Sequence, residues 1–134
     1  MIRTVALLAA CTAALAATAD AAAPGLAVRA SALVLPARPS LAAGSHGVRA
    51  VYRVSRGVYC VQTAPTLDWT TSSPYVAAAA ASSAKGRGSL LAAYDAGGQE
   101  CPAAAIPVRT FRVVSGVARP ASDVAFALVV PGRG

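Results

Sequence analysis

Hydrophobic and polar residues alternate with a period of two in the middle of the chain, which is the pattern of a half-buried strand. The clearest stretch is Val48–Ser55, where valine, alanine and tyrosine occupy every second position. Arg56-Gly57 follows as a turn signal, and Val58–Thr63 predicts a return strand, so the two strands form a hairpin. Pro65 ends the second strand, because proline has no N–H to donate to a ladder.

Shorter segments of similar character predict further strands. They are Ala27–Leu35, Tyr75–Ser82, Ser89–Asp95, Pro107–Ser115 and Val124–Val130. Tyr75–Ser82 also suits a short helix, because alanine is the best helix former, but such a helix would lack a large apolar stripe and a strand is favoured. Val124–Val130 is apolar on both faces, which predicts a strand covered on both sides. Loops or turns are predicted at Pro36–Gly47, Lys85–Gly88 and Gly116–Ser122.

Six or seven short strands separated by turn signals indicate an all-β fold. We expect a small antiparallel β-sandwich, or a barrel, formed as one domain by this chain of 134 residues. All seven aromatic residues lie between Tyr52 and Phe126, so the core is expected to extend from about Gly47 to Pro131. Residues 22–46 are either an extended segment or a first strand and a loop, and residues 47–134 are the β-domain.

The first residues have the pattern of a signal peptide. Residues 1–3 are a short positive start, Thr4–Thr18 is an apolar run, and residues 19–21 (Ala-Asp-Ala) fit the small-x-small cleavage rule. The apolar run is too short to span a bilayer as a helix. We therefore predict a signal-peptide helix over residues 1–21 and cleavage near Ala21, with residues 19 and 23 as alternatives. The mature chain would be secreted or periplasmic, without a transmembrane span.

Cys11 supports a competing interpretation of the same segment. Leu8-Ala9-Ala10-Cys11 matches a bacterial lipobox, in which the cysteine is acylated and becomes the new N-terminus. The apolar stretch before Cys11 is short for such a signal, so the cleaved signal peptide is favoured over a lipoprotein.

Two cysteines, Cys60 and Cys101, follow the predicted cleavage site. In an oxidising compartment a disulfide is the default for such a pair. A metal pair or a redox site fits poorly, because the chain has no C-x-x-C spacing and only His46 could assist a metal. We therefore predict one structural disulfide, no metal site and no cofactor.

The net charge of the chain indicates which kinds of partner it could bind. The chain has 12 Lys and Arg residues against 5 Asp and Glu residues, for a net charge of +7. The positive charge of an exported protein suits anionic surface polymers, anionic lipids or nucleic acid, and among partners an anionic envelope polymer or a glycan is favoured. The arginines are scattered, however, and an alanine-rich chain without asparagine also has the composition typical of a GC-rich genome. No nucleic-acid partner is expected.

The chain contains four short motifs that are considered together. They are Gly57-Val58-Tyr59-Cys60, Cys101-Pro102, Val108-Arg109-Thr110-Phe111 and Ser122-Asp123-Val124-Ala125-Phe126. In this combination the chain resembles a set of small exported bacterial proteins that share G-V-Y-C, C-P, V-x-T-F/Y and S-D-V-x-F motifs, over roughly residues 47–131. The resemblance implies an exported β-domain with one disulfide. It implies no activity and no catalytic residue.

Residues suited to catalysis are scarce. A triad could be drawn from His46, a serine and an aspartate, but no G-x-S-x-G motif is present and His46 lies in a flexible glycine-containing turn. The acidic residues beyond residue 21 form no clear pair for glycoside hydrolysis. They are Asp68, Asp95, Glu100 and Asp123. We therefore expect no enzyme, and a small hydrolase that uses His46 is the weakest alternative.

Four residues are candidates for ligand binding. Trp69, Tyr75 and Tyr94 could stack against a sugar, and Arg109 could hold an anionic group. Each also has a structural interpretation, because aromatic residues fill small cores and charges protect edge strands from aggregation. The sequence thus predicts an exported, non-enzymatic β-domain that binds a partner or forms part of the envelope. The main alternative is a glycan or polyanion binder that uses the arginines and Trp69.

Overall fold

The computed structural model describes residues 26–36, 38–79 and 88–133. Within these ranges the chain forms nine strands and no helix. In order they are β1 (Leu26–Leu35), β2 (Ser40–Leu41), β3 (Val48–Ser55), β4 (Val58–Thr63), β5 (Tyr75–Ala78), β6 (Ser89–Tyr94), β7 (Ala105–Val114), β8 (Val117–Pro120) and β9 (Phe126–Arg133). The predicted signal peptide, Cys11, the end of the predicted strand Tyr75–Ser82 and most of the predicted turn Lys85–Gly88 lie outside the described residues.

The strands form two antiparallel sheets, which confirms the predicted all-β fold class. The first sheet has the order β2-β1-β9-β5, and the second has the order β3-β4-β7-β6. Strand β8 pairs with the far part of β7, beyond the part that pairs with β4. The backbone of Thr110 contacts both neighbours, because its N–H donates to the carbonyl of Gly57 and its carbonyl accepts from the N–H of Ala121. The turn after β3 and the segment after β8 therefore meet at Thr110.

The core lies between the two sheets and follows the period of two in each strand. Its fully buried members are Ala30, Val34, Phe126, Leu128 and Val130 from the first sheet and Tyr59, Val61, Ile106 and Val108 from the second. Tyr59 and Phe126 are the largest of these side chains, and their rings contact edge to face with centroids 5.4 Å apart. This contact joins the two sheets at the centre of the domain.

The core begins earlier in the chain than the aromatic residues suggest. Ala30 and Val34 of β1 are fully buried, because β1 pairs with β9 along most of its length. The expected start at Gly47 is therefore wrong. The distribution of aromatic residues did not indicate that β1 belongs to the core, because the inward positions of this strand are alanine and valine.

The prediction that β9 is covered on both faces is also wrong. Phe126, Leu128 and Val130 are buried, whereas Ala127 is exposed and Val129 is only partly buried. The outer face of the first sheet therefore contacts solvent at this strand. Its apolar residues made the pattern look like that of a strand between two layers.

The predicted loop Gly116–Ser122 contains a strand instead. Val117–Pro120 forms β8 and pairs with β7 through a two-residue turn at Ser115 and Gly116. Both turn residues have positive φ, 50° and 78°, as in the type I′ turns that suit tight hairpins. Strand β8 is an edge strand, where proline is tolerated because one side of the strand has no ladder to complete.

The predicted disulfide is present. Cys60 and Cys101 are bonded, with their Cα atoms 5.6 Å apart and a sequence separation of 41. Cys60 is fully buried, although its neighbours Tyr59 and Val61 supply the inward face of β4. It therefore points to the outer face of the second sheet, where the bridge fixes the segment between β6 and β7 over the sheet.

Candidate functional site

Three of the four motifs that suggested a resemblance, all except Cys101-Pro102, meet at the segment 121–123. Ser122 Oγ accepts a hydrogen bond of 2.9 Å from the N–H of Gly57, and the carbonyl of Ser122 accepts one of 2.9 Å from the Tyr59 hydroxyl. The buried hydroxyl of Thr110 donates to the carbonyl of Ala121. These bonds attach the segment 121–123 firmly to β4 and β7. The motif residues thus have a structural role, since they hold this segment in one conformation.

Burial raises the pKa of Tyr59 above its ordinary value of 10.0, because the charged phenolate would be desolvated. The interactions of the hydroxyl with Arg53 and Ser122 act in the opposite direction and are smaller than the effect of burial. The phenol is therefore protonated at neutral pH and serves as a hydrogen-bond donor to Ser122. Arg53 lies directly opposite Tyr59 in the β3–β4 pair.

Three arginines line a groove against this segment, which we call the arginine groove. Arg56 comes from the β3–β4 turn, Arg112 from β7 and Arg119 from β8. The remaining lining residues are Val114, Pro120, Ala121, Ser122 and Asp123. The groove has a volume of about 440 Å³, which is within the range of small-ligand sites.

The arginine groove has an excess of positive charge. Arg112 and Arg119 lie directly opposite each other in the β7–β8 pair, an arrangement that repels when both residues carry the same charge. Arg112 Nη2 contacts Asp123 Oδ2 at 2.7 Å. Among the described residues, no carboxylate lies within 4 Å of the guanidinium of Arg56 or Arg119. Three guanidinium groups therefore surround the groove with one carboxylate, which favours an anionic ligand.

Arg109, the arginine that sequence reasoning selected, lies elsewhere. Its Nε atom contacts Asp95 Oδ2 at 2.5 Å, and its Nη2 atom lies 3.7 Å from Glu100 Oε1. The hydrogen bond to Asp95 and its negative charge raise the pKa of Arg109, so the residue stays charged. The pair of carboxylates neutralises this guanidinium and helps to hold the segment between β6 and β7.

The three candidate aromatic residues do not come together as one surface. Trp69 and Tyr94 contact edge to face, with centroids 6.2 Å apart, and both pack against the core. The indole N–H of Trp69 donates to the carbonyl of Ala104 at 3.1 Å. Tyr75 is 67% exposed on β5 and has no ring contact with the other two. Trp69 therefore attaches its loop to the chain before β7, and its polar atom is already bonded.

The loop between β4 and β5 is flanked by two further cavities, of about 490 and 360 Å³. Asp68 borders both of them. Its Oδ1 atom accepts hydrogen bonds from the hydroxyl and the N–H of Thr70, which lower the pKa of the carboxyl. This carboxylate is engaged within its own loop, in the manner of an Asx turn.

His46 has an exposed side chain and a fixed backbone. Its N–H and carbonyl exchange hydrogen bonds with Ser31 of β1, at 2.7 and 2.8 Å. Its imidazole makes no hydrogen bond or ion pair with any residue of the described ranges. In the same part of the chain, no group of three His, Cys, Asp or Glu side chains is placed to hold a metal ion. No helix in the ranges described is long and apolar enough to cross a membrane.

Sequence reasoning missed Arg56, Arg112 and Arg119 because they are far apart in the chain. One signal could have linked two of them. A two-residue turn at Ser115-Gly116 pairs residue 114 with residue 117, and the register then places Arg112 opposite Arg119. The assignment of Gly116–Ser122 as a loop concealed this pairing.

No protein-family model, curated protein or solved structure matches this chain. The resemblance to small exported bacterial proteins therefore stays a prediction. The functional argument below depends on the geometry and charge of the site itself.

Proposed function

We propose that this chain is an exported, non-enzymatic binding domain of the cell envelope, and that its ligand carries several negative charges. The signal-peptide pattern in residues 1–21 and the Cys60–Cys101 disulfide support export, since disulfides persist in oxidising compartments. The mature domain would be secreted or periplasmic. The ligand class is an envelope polymer that bears phosphate, sulfate or carboxylate groups.

The observation that carries this proposal is the convergence of Arg56, Arg112 and Arg119 on the arginine groove. Guanidinium groups donate paired hydrogen bonds to planar or tetrahedral anions, and such charge-assisted bonds are stronger than neutral ones. An anion between Arg112 and Arg119 would also relieve the repulsion between them. The segment 121–123 forms the opposite wall, and its hydrogen bonds to β4 and β7 preorganise the groove.

The alternatives have less support. A neutral glycan would need exposed aromatic faces, but the polar atom of Trp69 is bonded within the protein and Tyr75 stands apart from Trp69 and Tyr94. A hydrolase would need a base held by a third group, and His46 has no such partner among the described residues. The arginine groove is therefore the favoured site.

Binding of labelled dextran sulfate to the oxidised protein tests this proposal, with neutral dextran as the ligand control. The double variant Arg56→Gln/Arg119→Gln should lower affinity about 10- to 30-fold, because each substitution removes one charge-assisted contact. Wild-type binding should weaken steeply as salt is raised, because exposed charges are screened. Neutral dextran should not bind.

The matched control is Arg38→Gln/Arg49→Gln, which removes the same net charge from exposed positions outside the groove. Its affinity should stay within about threefold of wild type, since only long-range attraction is lost. Equal losses in the two double variants would show that net charge alone attracts the polymer, and the groove would then not be the site.

A further inference from the structure

The tip of the β7–β8 hairpin exposes a pair of valines beside the arginine groove. Val114 and Val117 pair across the turn and are 44% and 53% exposed. Arg112 and Arg119 form the pair that lies two residues further from the tip. Because side chains two residues apart lie on the same face of a strand, the valine pair and the arginine pair share one face. The two pairs are separated by roughly 7 Å along the hairpin.

This order of side chains matches the layers of a membrane surface. In an anionic leaflet, phosphate groups lie at the surface and hydrocarbon lies beneath them, so a surface-binding element places apolar residues deepest and basic residues behind them. The hairpin has this order, with Val114 and Val117 at its tip and Arg112 and Arg119 behind. Arg56 adds a further positive charge at the same groove.

We infer that the β7–β8 hairpin docks on an anionic lipid surface, where the valines enter the headgroup region and the arginines contact lipid phosphates. This inference rests on the proposed function, because it names the source of the anionic ligand. The valines favour a lipid over a soluble polymer, since a hydrophilic polyanion gains nothing from them. The excess positive charge of the groove supplies the charge complementarity with an anionic leaflet.

Exposed valine alone does not define such a surface. Val28 is 59% exposed on β1 and pairs with Pro131, near the end of β9 that is remote from the arginine groove. It does not line the groove and is not followed by an arginine pair on its strand. Val28 is therefore a control for the removal of an exposed valine, and dextran sulfate is a control for charge without a hydrocarbon layer.

Vesicle flotation tests the inference with the oxidised protein and phosphatidylcholine vesicles prepared with and without phosphatidylglycerol. Wild type should bind the anionic vesicles and not the neutral ones. Val117→Thr keeps the β-branched shape but replaces one methyl group by a hydroxyl at a position that does not line the arginine groove, and it should lower vesicle binding about fivefold. Its affinity for dextran sulfate should stay within about twofold of wild type, which also shows that the groove is folded. Val28→Thr should leave both affinities unchanged.

The outcomes separate the two proposals. Unchanged vesicle binding by Val117→Thr, or equal binding to neutral vesicles, would overturn the membrane inference and leave the anionic groove in place. Binding of dextran sulfate without binding to anionic vesicles would also overturn it and would point to a soluble polymer. Failure of wild type to bind either anionic probe would overturn the proposed function and the inference together.

Discussion

Gly57 occupies a position in the β3–β4 turn that has no space for a side chain. Its φ is +72°, in the left-handed region that favours glycine. A Cβ atom built there would lie 2.6 Å from the carbonyl oxygen of Thr110 and 2.9 Å from the nitrogen of Ala121. The N–H of Ala121 donates to the carbonyl of Thr110, and the N–H of Thr110 donates to the carbonyl of Gly57. Neither neighbour can therefore move aside without loss of a hydrogen bond. The first motif therefore begins with glycine for a steric reason.

Gly57→Ala should destabilise the domain by about 3 kcal/mol or more, because left-handed strain adds to overpacking against backbone. Gly44→Ala is the matched control, since Gly44 has a φ of +88° but open space around its Cβ position. That control should cost only about 1 kcal/mol from strain. Urea unfolding of both variants measures the difference. Equal midpoints would contradict the close packing at Gly57.

Single residues of the candidate site were only partly predictable. The sequence identified Trp69, Tyr94 and Arg109 as chemically capable, and the structure gives each of them partners within the protein. The arginines of the groove carried no distinguishing local pattern, because charge clustering arises from pairing between segments. A sequence shows which residues are chemically suited to a site, but it does not show which residues from distant segments lie close together.

At the scale of elements, period-two patterning predicted β3 at its observed bounds, and the turn signal at Arg56-Gly57 predicted β4 as its return strand. The burial of these strands is less regular than the pattern of their residues, because β3 has no fully buried residue and β4 is buried on both faces from Val58 to Val61. Period-two patterning failed at β8, where all four residues are exposed and no alternation remains to be read. A short exposed edge strand is thus predicted from sequence mainly by the turn that precedes it.

The β7–β8 hairpin provides a prediction at this scale. Ser115 has a φ of 50° at the first position of the turn, where asparagine is more favourable than serine. Ser115→Asn should therefore stabilise the domain by roughly 0.5 kcal/mol, and Ser115→Val should destabilise it by about 1 kcal/mol or more. Urea unfolding measures both changes. A loss of stability in the asparagine variant would contradict the tight turn that pairs Arg112 with Arg119.

At the scale of the whole molecule, the fold class followed from strand number and turn spacing, whereas the location of the site did not. The arginine groove needs the β3–β4 turn, β7 and β8 to meet, and only the sheet order brings them together. Hydrogen bonds from the Tyr59 and Thr110 side chains then hold the segment 121–123 as its wall. The core and the groove are connected through these residues.

The disulfide acts on the molecule as a whole. It closes a loop across 41 residues of sequence, for which the loop-entropy model gives about 4 kcal/mol of stabilisation. For a domain of this size that is a large part of the free energy of unfolding. The proposed export agrees with this bond, because disulfides persist in oxidising compartments.

The intact mass of the protein recovered from its native host shows whether the chain is exported and oxidised. We predict a mass that corresponds to a chain starting near residue 22 and that increases by two hydrogens on reduction. A full-length mass with free thiols would contradict the account, because both export and the Cys60–Cys101 bond would then be absent. A lipid-shifted mass starting at Cys11 would contradict cleavage near Ala21.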